Sequence, residues 1–201
     1  MKKNLIIAEI GSTHDGNFIL AKKSIKLAAK CGADIIKFQM HISEEETLKN
    51  APNPPYFKKE NRYDYFKRTS FTSLQWKKLI FECKKNNVEF LCSPFSLKAV
   101  DELEKLKVKS YKVPSGELTN TPLLEKIYKT GKFVFISTGM SNFIEIDNAL
   151  KIFKNKSNIC LMQCTSMYPC KDEYIGLNII DEFKKKYRVN IGFSDHTNDF
   201  I

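Results

Sequence analysis

Short apolar runs and longer amphipathic stretches alternate along the whole chain. The apolar runs predict strands at Leu5–Ile10, Asp34–Gln39, Val88–Cys92, Val108–Val113, Phe133–Ser137, Ile159–Cys164 and Val189–Phe193. They are short and rich in Ile, Val and Phe, as parallel strands covered by helices are. Between them, helical spacing covers Phe18–Cys31, Ser73–Asn86, Leu97–Leu106, Pro122–Thr130, Ile144–Lys154 and Leu177–Tyr187. Ile19, Ala21, Ile25, Ala28 and Ala29 mark the first helix, and Gly32 stops it. One connection, Ala51 to Phe66, is longer and rich in Pro, Asn and aromatic residues. Its position predicts a substrate-covering loop.

Repeated β-α units define a parallel open sheet or a (β/α)8 barrel of the TIM type. Seven strands and six helices fit in 201 residues. A complete barrel has eight of each and typically about 250 residues. The chain therefore reads as one α/β barrel-type domain, residues 1–201, truncated after strand seven. An open doubly wound sheet accommodates seven strands without truncation. It gives no reason for polar residues to follow all seven.

Those polar residues are the candidate chemistry, because barrel enzymes work at the C-terminal ends of their strands. Strand one carries Glu9 and leads into Gly11-Ser12-Thr13-His14-Asp15-Gly16. Strand two carries Lys37 and Gln39, and strand three ends in Ser93-Pro94-Phe95. Strand four runs into Lys112, Ser115 and Glu117, and strand five into Ser137-Thr138-Gly139-Met140. Strand six gives Gln163-Cys164-Thr165-Ser166-Met167-Tyr168-Pro169, and strand seven Ser194-Asp195-His196-Thr197. Each has a plain structural alternative. Glu9 suits a buried ion pair with Lys37, and Lys112 an exposed strand edge. Ser137-Thr138-Gly139 suits a helix cap, His196 a cap or core position, and Tyr168-Pro169 a turn. The recurrence at equivalent places favours chemistry over seven coincidences.

Two lysines among Ser and Thr hydroxyls suit a phosphate together with a carboxylate. A histidine with carboxylates suits a divalent metal, and hard oxygen ligands favour Mg²⁺ or Mn²⁺. A barrel lysine also suits a Schiff base, as in class I aldolases.

Composition narrows the choice. The chain is 42% hydrophobic and 28% charged, enough for one sizeable core in a soluble globular protein. A net charge of +10 suits an anionic partner, a small anionic substrate included. The lysines lie on helical faces such as Lys22, Lys23 and Lys26, or Lys184 to Lys186, so they read as solvated faces and not as a nucleic-acid surface. No run reaches the roughly 18 apolar residues of a membrane span, and the start of the chain lacks a signal core. Six cysteines (Cys31, Cys83, Cys92, Cys160, Cys164, Cys170) without a CxxC pair read as reduced thiols of a cytoplasmic protein. Cys160 and Cys164 lack zinc-site spacing.

Seven segments, in order, carry a family resemblance. They are Ile7-Ala8-Glu9-Ile10-Gly11, Lys37-Phe38-Gln39, Ser93-Pro94-Phe95, Tyr111-Lys112-Val113-Pro114-Ser115-Gly116-Glu117, Ser137-Thr138-Gly139-Met140, Cys164-Thr165-Ser166-Met167-Tyr168-Pro169 and Gly192-Phe193-Ser194-Asp195-His196-Thr197. Each is weak alone; the ordered set is highly specific. It resembles the barrel domain of N-acetylneuraminate (sialic acid) synthases and of their relatives that make legionaminic or pseudaminic acid.

The resemblance implies condensation of phosphoenolpyruvate with an N-acylated amino-sugar aldehyde such as N-acetylmannosamine. In that scheme a divalent metal, Mn²⁺ or Mg²⁺, polarises the aldehyde oxygen. C3 of phosphoenolpyruvate attacks, water adds at C2, and phosphate leaves by C–O cleavage of a tetrahedral intermediate. By similarity Lys37, Lys112, Ser93, Ser115, Ser137, Ser166, Tyr168 and Ser194 hold phosphoenolpyruvate, with Gln39 supporting the phosphate. Glu117 binds or activates at the same centre, Glu9 contacts the acceptor or the metal-bound water, and His196 is a metal ligand. The family usually has Asn before the first-loop histidine; here Thr13 precedes His14. The resemblance also places a second metal histidine on strand eight, beyond Ile201. A C-terminal antifreeze-like domain would follow, reaching across a homodimer to supply an arginine to the acceptor. Residues 1–201 alone are accordingly expected to bind metal weakly and to turn over little or not at all. A Schiff-base aldolase on Lys112 and an inactive phosphoanion-binding remnant are the alternatives.

Overall fold

The computed structural model describes residues 4–53 and 60–198. The chain forms two compact units, residues 1–109 and 110–201. The first holds β1 (Ile7–Gly11), α1 (Phe18–Lys30), β2 (Ile35–Met40), α2 (Ser43–Glu46), α3 (Arg62–Thr69), α4 (Ser73–Lys85), β3 (Glu89–Pro94) and α5 (Leu97–Lys105). The second holds β4 (Ser110–Val113), α6 (Thr121–Lys129), β5 (Phe133–Ser137), α7 (Phe143–Ile152), β6 (Ile159–Cys164), α8 (Asn178–Lys186) and β7 (Asn190–Ser194). Every predicted strand and helix is present. Within each unit the strands pair in parallel and in chain order: β1 to β2 to β3, and β4 to β5 to β6 to β7. Each unit winds in chain order, as the strands of a barrel do.

The helices begin and end on sequence signals. Asn17 caps α1 by accepting from the Ile19 and Leu20 N–H groups, at 3.0 Å each. Thr72 with Gln75, and Asn142 with Glu145, form capping boxes at α4 and α7. Gly32, Asn87, Lys107 and Gly131 follow α1, α4, α5 and α6 with positive φ, which turns the chain back towards the next strand. Two helices were not anticipated. The four-residue α2 is too short and too acidic to show a period. The predicted connection from Ala51 to Phe66 runs into α3, which begins at Arg62 and buries Phe66 and Thr69. The cause is Asn61, whose side chain accepts from the Asp64 N–H at 2.8 Å. Residues 54–59 of that connection lie outside the described residues.

Strand alternation then sorts chemistry from packing. In the first unit Glu9 pairs in register with Lys37, Lys37 with Leu91, and Gln39 with Ser93. Glu9, Lys37, Gln39 and Ser93 therefore share one face. Phe38 points the other way, 5.9 Å edge-on to Trp76 of α4 and 5.8 Å from the Phe90 ring. In the second unit Lys112 aligns with Phe135 and Cys160, Ser137 with Met162, and Cys164 with Ser194. The opposite face supplies Tyr111, Ile136 and Leu161, which are fully buried with Leu123 and Ile127 of α6. Among the described residues no helix is long and apolar enough to cross a membrane.

Candidate active site

In the first unit Lys37 is 8% exposed. Its Nζ forms an ion pair with Glu9 and donates to Ser93 Oγ at 3.4 Å. The Glu9 side chain remains 47% exposed, so this is no buried structural pair: the carboxylate holds the lysine and still faces open space. Gly11 (φ +51°) turns the chain beside it, and a Cβ there would stand 3.0 Å from Glu9 Oε1. Ser12 and His41 both approach the Gln39 side-chain amide, at 3.4 Å each. His14 is buried against Phe71, with 4.4 Å between ring centroids, and its Nδ1 accepts from the Gly16 N–H. Burial lowers its pKa, against the opposing pull of Asp15 and the Gly11 carbonyl, so it is a neutral core histidine.

In the second unit Lys112 is 5% exposed, which rules out the exposed strand edge. Its Nζ donates to Ser137 Oγ and, at 3.3 Å, to the Val113 carbonyl. Ser115 Oγ donates to Cys164 Sγ at 3.3 Å, and Cys164 lies 3.9 Å from His196 Nδ1. Burial pushes the Cys164 thiol up, but hydrogen bonds to His196 and Ser115 and the charges of His196 and Lys112 bring it down to about 7. The same contact with Cys164 raises the pKa of His196 against burial, helped by the Thr165 carbonyl. His196 Nδ1 donates to that carbonyl at 2.8 Å, which leaves Nε2 directed elsewhere. The Tyr168 ring stands 4.2 Å from the imidazole. Glu117 accepts from Asn120 Nδ2 at 2.7 Å, and Asn120 in turn caps α6. Ser194, opposite Cys164 in register, lines a small cleft with Asp195 and His196. Ser137-Thr138-Gly139 does not cap α7: Asn142 does, while Thr138 Oγ1 bonds the Met162 carbonyl at 3.0 Å.

Gly139 closes this cluster. A Cβ on it would collide with Ser166 Oγ and lie 2.8 Å from Ser115 Oγ and 3.2 Å from the Cys164 carbonyl. Ser166 Oγ is the one buried side-chain oxygen among the described residues without a hydrogen-bond partner. An orphaned hydroxyl beside a glycine-lined cradle is what a polar ligand would satisfy. Gly139→Ala is expected to cost about 1–3 kcal/mol by overpacking, read as a lower urea midpoint at unchanged slope. An unchanged midpoint would show that the serines move aside freely.

The structure thus gathers Glu9, Lys37, Gln39 and Ser93 in one unit, and Lys112, Ser115, Ser137, Ser166, Tyr168, Ser194 and His196 in the other. Among the described residues no group of three His, Cys, Asp or Glu side chains is placed to hold a metal. His196, oriented by a carbonyl on Nδ1, fits as a single ligand. Cys160 and Cys164 do not pair on one: four residues along a strand separates them by about 13 Å. Sequence reasoning passed over His41 and Glu46, which contact each other at 2.7 Å. Period two was the available signal, since His41 lies two positions beyond Gln39.

Parallel strands in chain order, with cations and hydroxyls near their C-terminal ends, define the barrel-type α/β class. Within it, the sequence profile of the NeuB family matches residues 24–201, and the chain belongs to that family. It is 40% identical to the N,N'-diacetyllegionaminic acid synthase of Campylobacter jejuni, over 98% of this chain and 62% of that protein. It is 36% identical to human N-acetylneuraminate-9-phosphate synthase, over 95% of this chain and 55% of that protein. The crystal structure of an N-acetylneuraminic acid (sialic acid) synthetase from Leptospira borgpetersenii, in complex with citrate, matches with a TM-score of 0.85. Identity there is 32%, covering 96% of this chain and 65% of that one. The chain therefore spans roughly 55–62% of the length of these curated relatives.

Proposed function

We propose that the protein condenses phosphoenolpyruvate with an N-acylated amino-sugar aldehyde of the N-acetylmannosamine type, forming a nonulosonic acid and releasing phosphate. The observation that carries this reading is a pair of nearly buried lysines, Lys37 and Lys112, each donating to a serine hydroxyl on a strand face. Each ammonium group, buried beside a hydroxyl in its own unit, suits a phosphate or carboxylate oxygen. Ser115 and Ser166, whose hydroxyls both flank Gly139, add further donors for such an anion. Glu9, half-exposed beside Lys37, is placed to accept from a hydroxyl of the acceptor or of water. The synthase names of the relatives support the same chemistry. His196 would supply one ligand to a divalent metal, which, when bound, adds Lewis acidity. A homodimer and a cytoplasmic location belong to this proposal.

The test is phosphate release from phosphoenolpyruvate labelled with ¹⁸O at its bridging oxygen. Sugar-dependent release, abolished by EDTA and restored by Mn²⁺ or Mg²⁺, with the label carried into phosphate, is expected of the protein once every metal ligand is supplied, against little or no turnover by residues 1–201 alone. Borohydride trapping of a keto-acid on Lys112 would move the assignment to a Schiff-base aldolase. Binding of phosphoenolpyruvate without any sugar-dependent release would reduce it to an anion-binding remnant.

A further inference from the structure

We propose that His41, held in one tautomer by Glu46, is a positioning residue that fixes the orientation of the Gln39 side-chain amide. His41 follows β2 and carries its ring between Phe66 and Phe95, stacked at 3.6 Å and 4.0 Å between centroids. The two phenyl rings leave the imidazole one plane. Its Nδ1 meets Glu46 Oε2 at 2.7 Å, and the other Glu46 oxygen accepts from the Ile42 N–H at 2.6 Å. The Glu46 side chain is only 3% exposed. With both carboxylate oxygens accepting, Nδ1 carries the proton.

Three charged groups act on the ring: Glu46 from α2, Arg62 from α3 and Lys37 from β2. Burial lowers the His41 pKa most. Hydrogen bonding and charge from Glu46 raise it, and Arg62 and Lys37 lower it again, leaving it below the ordinary value. At neutral pH the ring is therefore neutral and Nε2 holds a lone pair. That lone pair lies 3.4 Å from the atom of the Gln39 amide placed as oxygen. Two acceptors do not bond, whereas an amide turned by 180° occupies the same volume and presents its NH2. The NH2 then donates to His41 Nε2, and Ser12 Oγ, also at 3.4 Å, becomes an acceptor.

Turning the amide carries its carbonyl to the other side, towards Gly11. A Cβ built on Gly11 would lie 3.6 Å from that amide atom and 3.0 Å from Glu9 Oε1. The Gln39 carbonyl and the Glu9 carboxylate thus stand as neighbouring acceptors. Paired acceptors suit a ligand with hydroxyl or amide N–H donors and repel a phosphate oxygen. Gln39 then serves the polyhydroxylated acceptor and not the phosphate side expected for it. This last step rests on the function proposed above; the tautomer and amide orientation do not.

The experiment uses the full chain, ¹⁵N-labelled at histidine, with Glu46→Gln and His41→Phe as variants. His41→Phe keeps a ring between Phe66 and Phe95 and removes both nitrogens. Ring ¹⁵N shifts of His41 are expected to show a protonated Nδ1 and a bare Nε2 at neutral pH, and Glu46→Gln to lose that preference. Both variants are expected to raise KM for the amino sugar about tenfold, the weight of one hydrogen bond, with KM for phosphoenolpyruvate unchanged. A proton on Nε2 in the wild-type protein overturns the proposal. So does an unchanged sugar KM in both variants, which would leave Glu46 as a helix cap and His41 as packing. If the wild-type protein releases no phosphate at all, the reaction assignment fails, while the ring-nitrogen shifts still decide the amide orientation.

Discussion

Lys112→Met is expected to remove nearly all sugar-dependent phosphate release while leaving the fold in place. Lys112 sits at the end of β4 with its Nζ on Ser137 Oγ and the Val113 carbonyl, and is 5% exposed. An ammonium in that position acts through a low local dielectric, where its attraction for a phosphate or a developing negative charge is weakly screened. Losing one such preorganised group lowers kcat/KM by about 10²–10³-fold. Methionine keeps an unbranched stem of similar length, so packing is retained and the urea midpoint should hold. Arginine would not rescue activity, because a planar guanidinium does not fit where a compact ammonium meets one hydroxyl. Near-normal turnover in Lys112→Met would take this lysine out of the site. A collapse of the urea midpoint would mark it as structural.

Trp76→Ala should have the largest effect on stability, about 3–5 kcal/mol. Trp76 lies edge-on to Phe38 at 5.9 Å, Phe71 at 5.3 Å and Phe90 at 6.1 Å. These rings join α4 to β2 and β3. Removal of the indole opens a cavity that three stiff aromatic side chains cannot fill without leaving their rotamers. Phe38 is flanked by Lys37 and Gln39, so any relaxation of β2 also moves site residues. The protein has one tryptophan, so the variant must be followed by circular dichroism. A loss under about 1 kcal/mol would mean the cluster closes over the gap and is not the core of this unit.

Much of the fold was legible because each buried strand carries a run that nothing but a covered parallel sheet would hold. Ile35-Ile36-Lys37-Phe38 is an example: two faces of packing with one cation inside. The caps at Thr72 and Asn142 stood in the sequence as Thr-x-x-Gln and Asn-x-x-Glu. Helices α2 and α3 were not legible. α2 has no apolar residue and α3 only Phe66 beside two tyrosines, so no period appears, and α3 is fixed by Asn61 and by burial of Phe66. For the site, the lysines and serines could be read because strand ends collect them. The short-range partners could not. Whether Lys112 is exposed or buried, or Ser115 meets Cys164, depends on register between strands, which a single sequence does not state. His41 and Glu46 escaped for a related reason: their contact bridges a strand end and a helix too short to announce itself.

The separation of chemistry and packing onto opposite strand faces has a consequence for how the chain can change length. Insertion of one residue within β2 would exchange Lys37 and Gln39 with Ile36 and Phe38, sending charge into the helix layer and apolar side chains into the site. Deletion inside β4 or β5 would do the same to Lys112 and Ser137. Growth and loss of residues are tolerable only where the chain turns, and only the turns that follow strand C-terminal ends, such as Ser12 to Gly16 after β1, border the site residues. Variation in acceptor preference should therefore arise through loops of altered length, with the strands serving as rulers that cannot be cut.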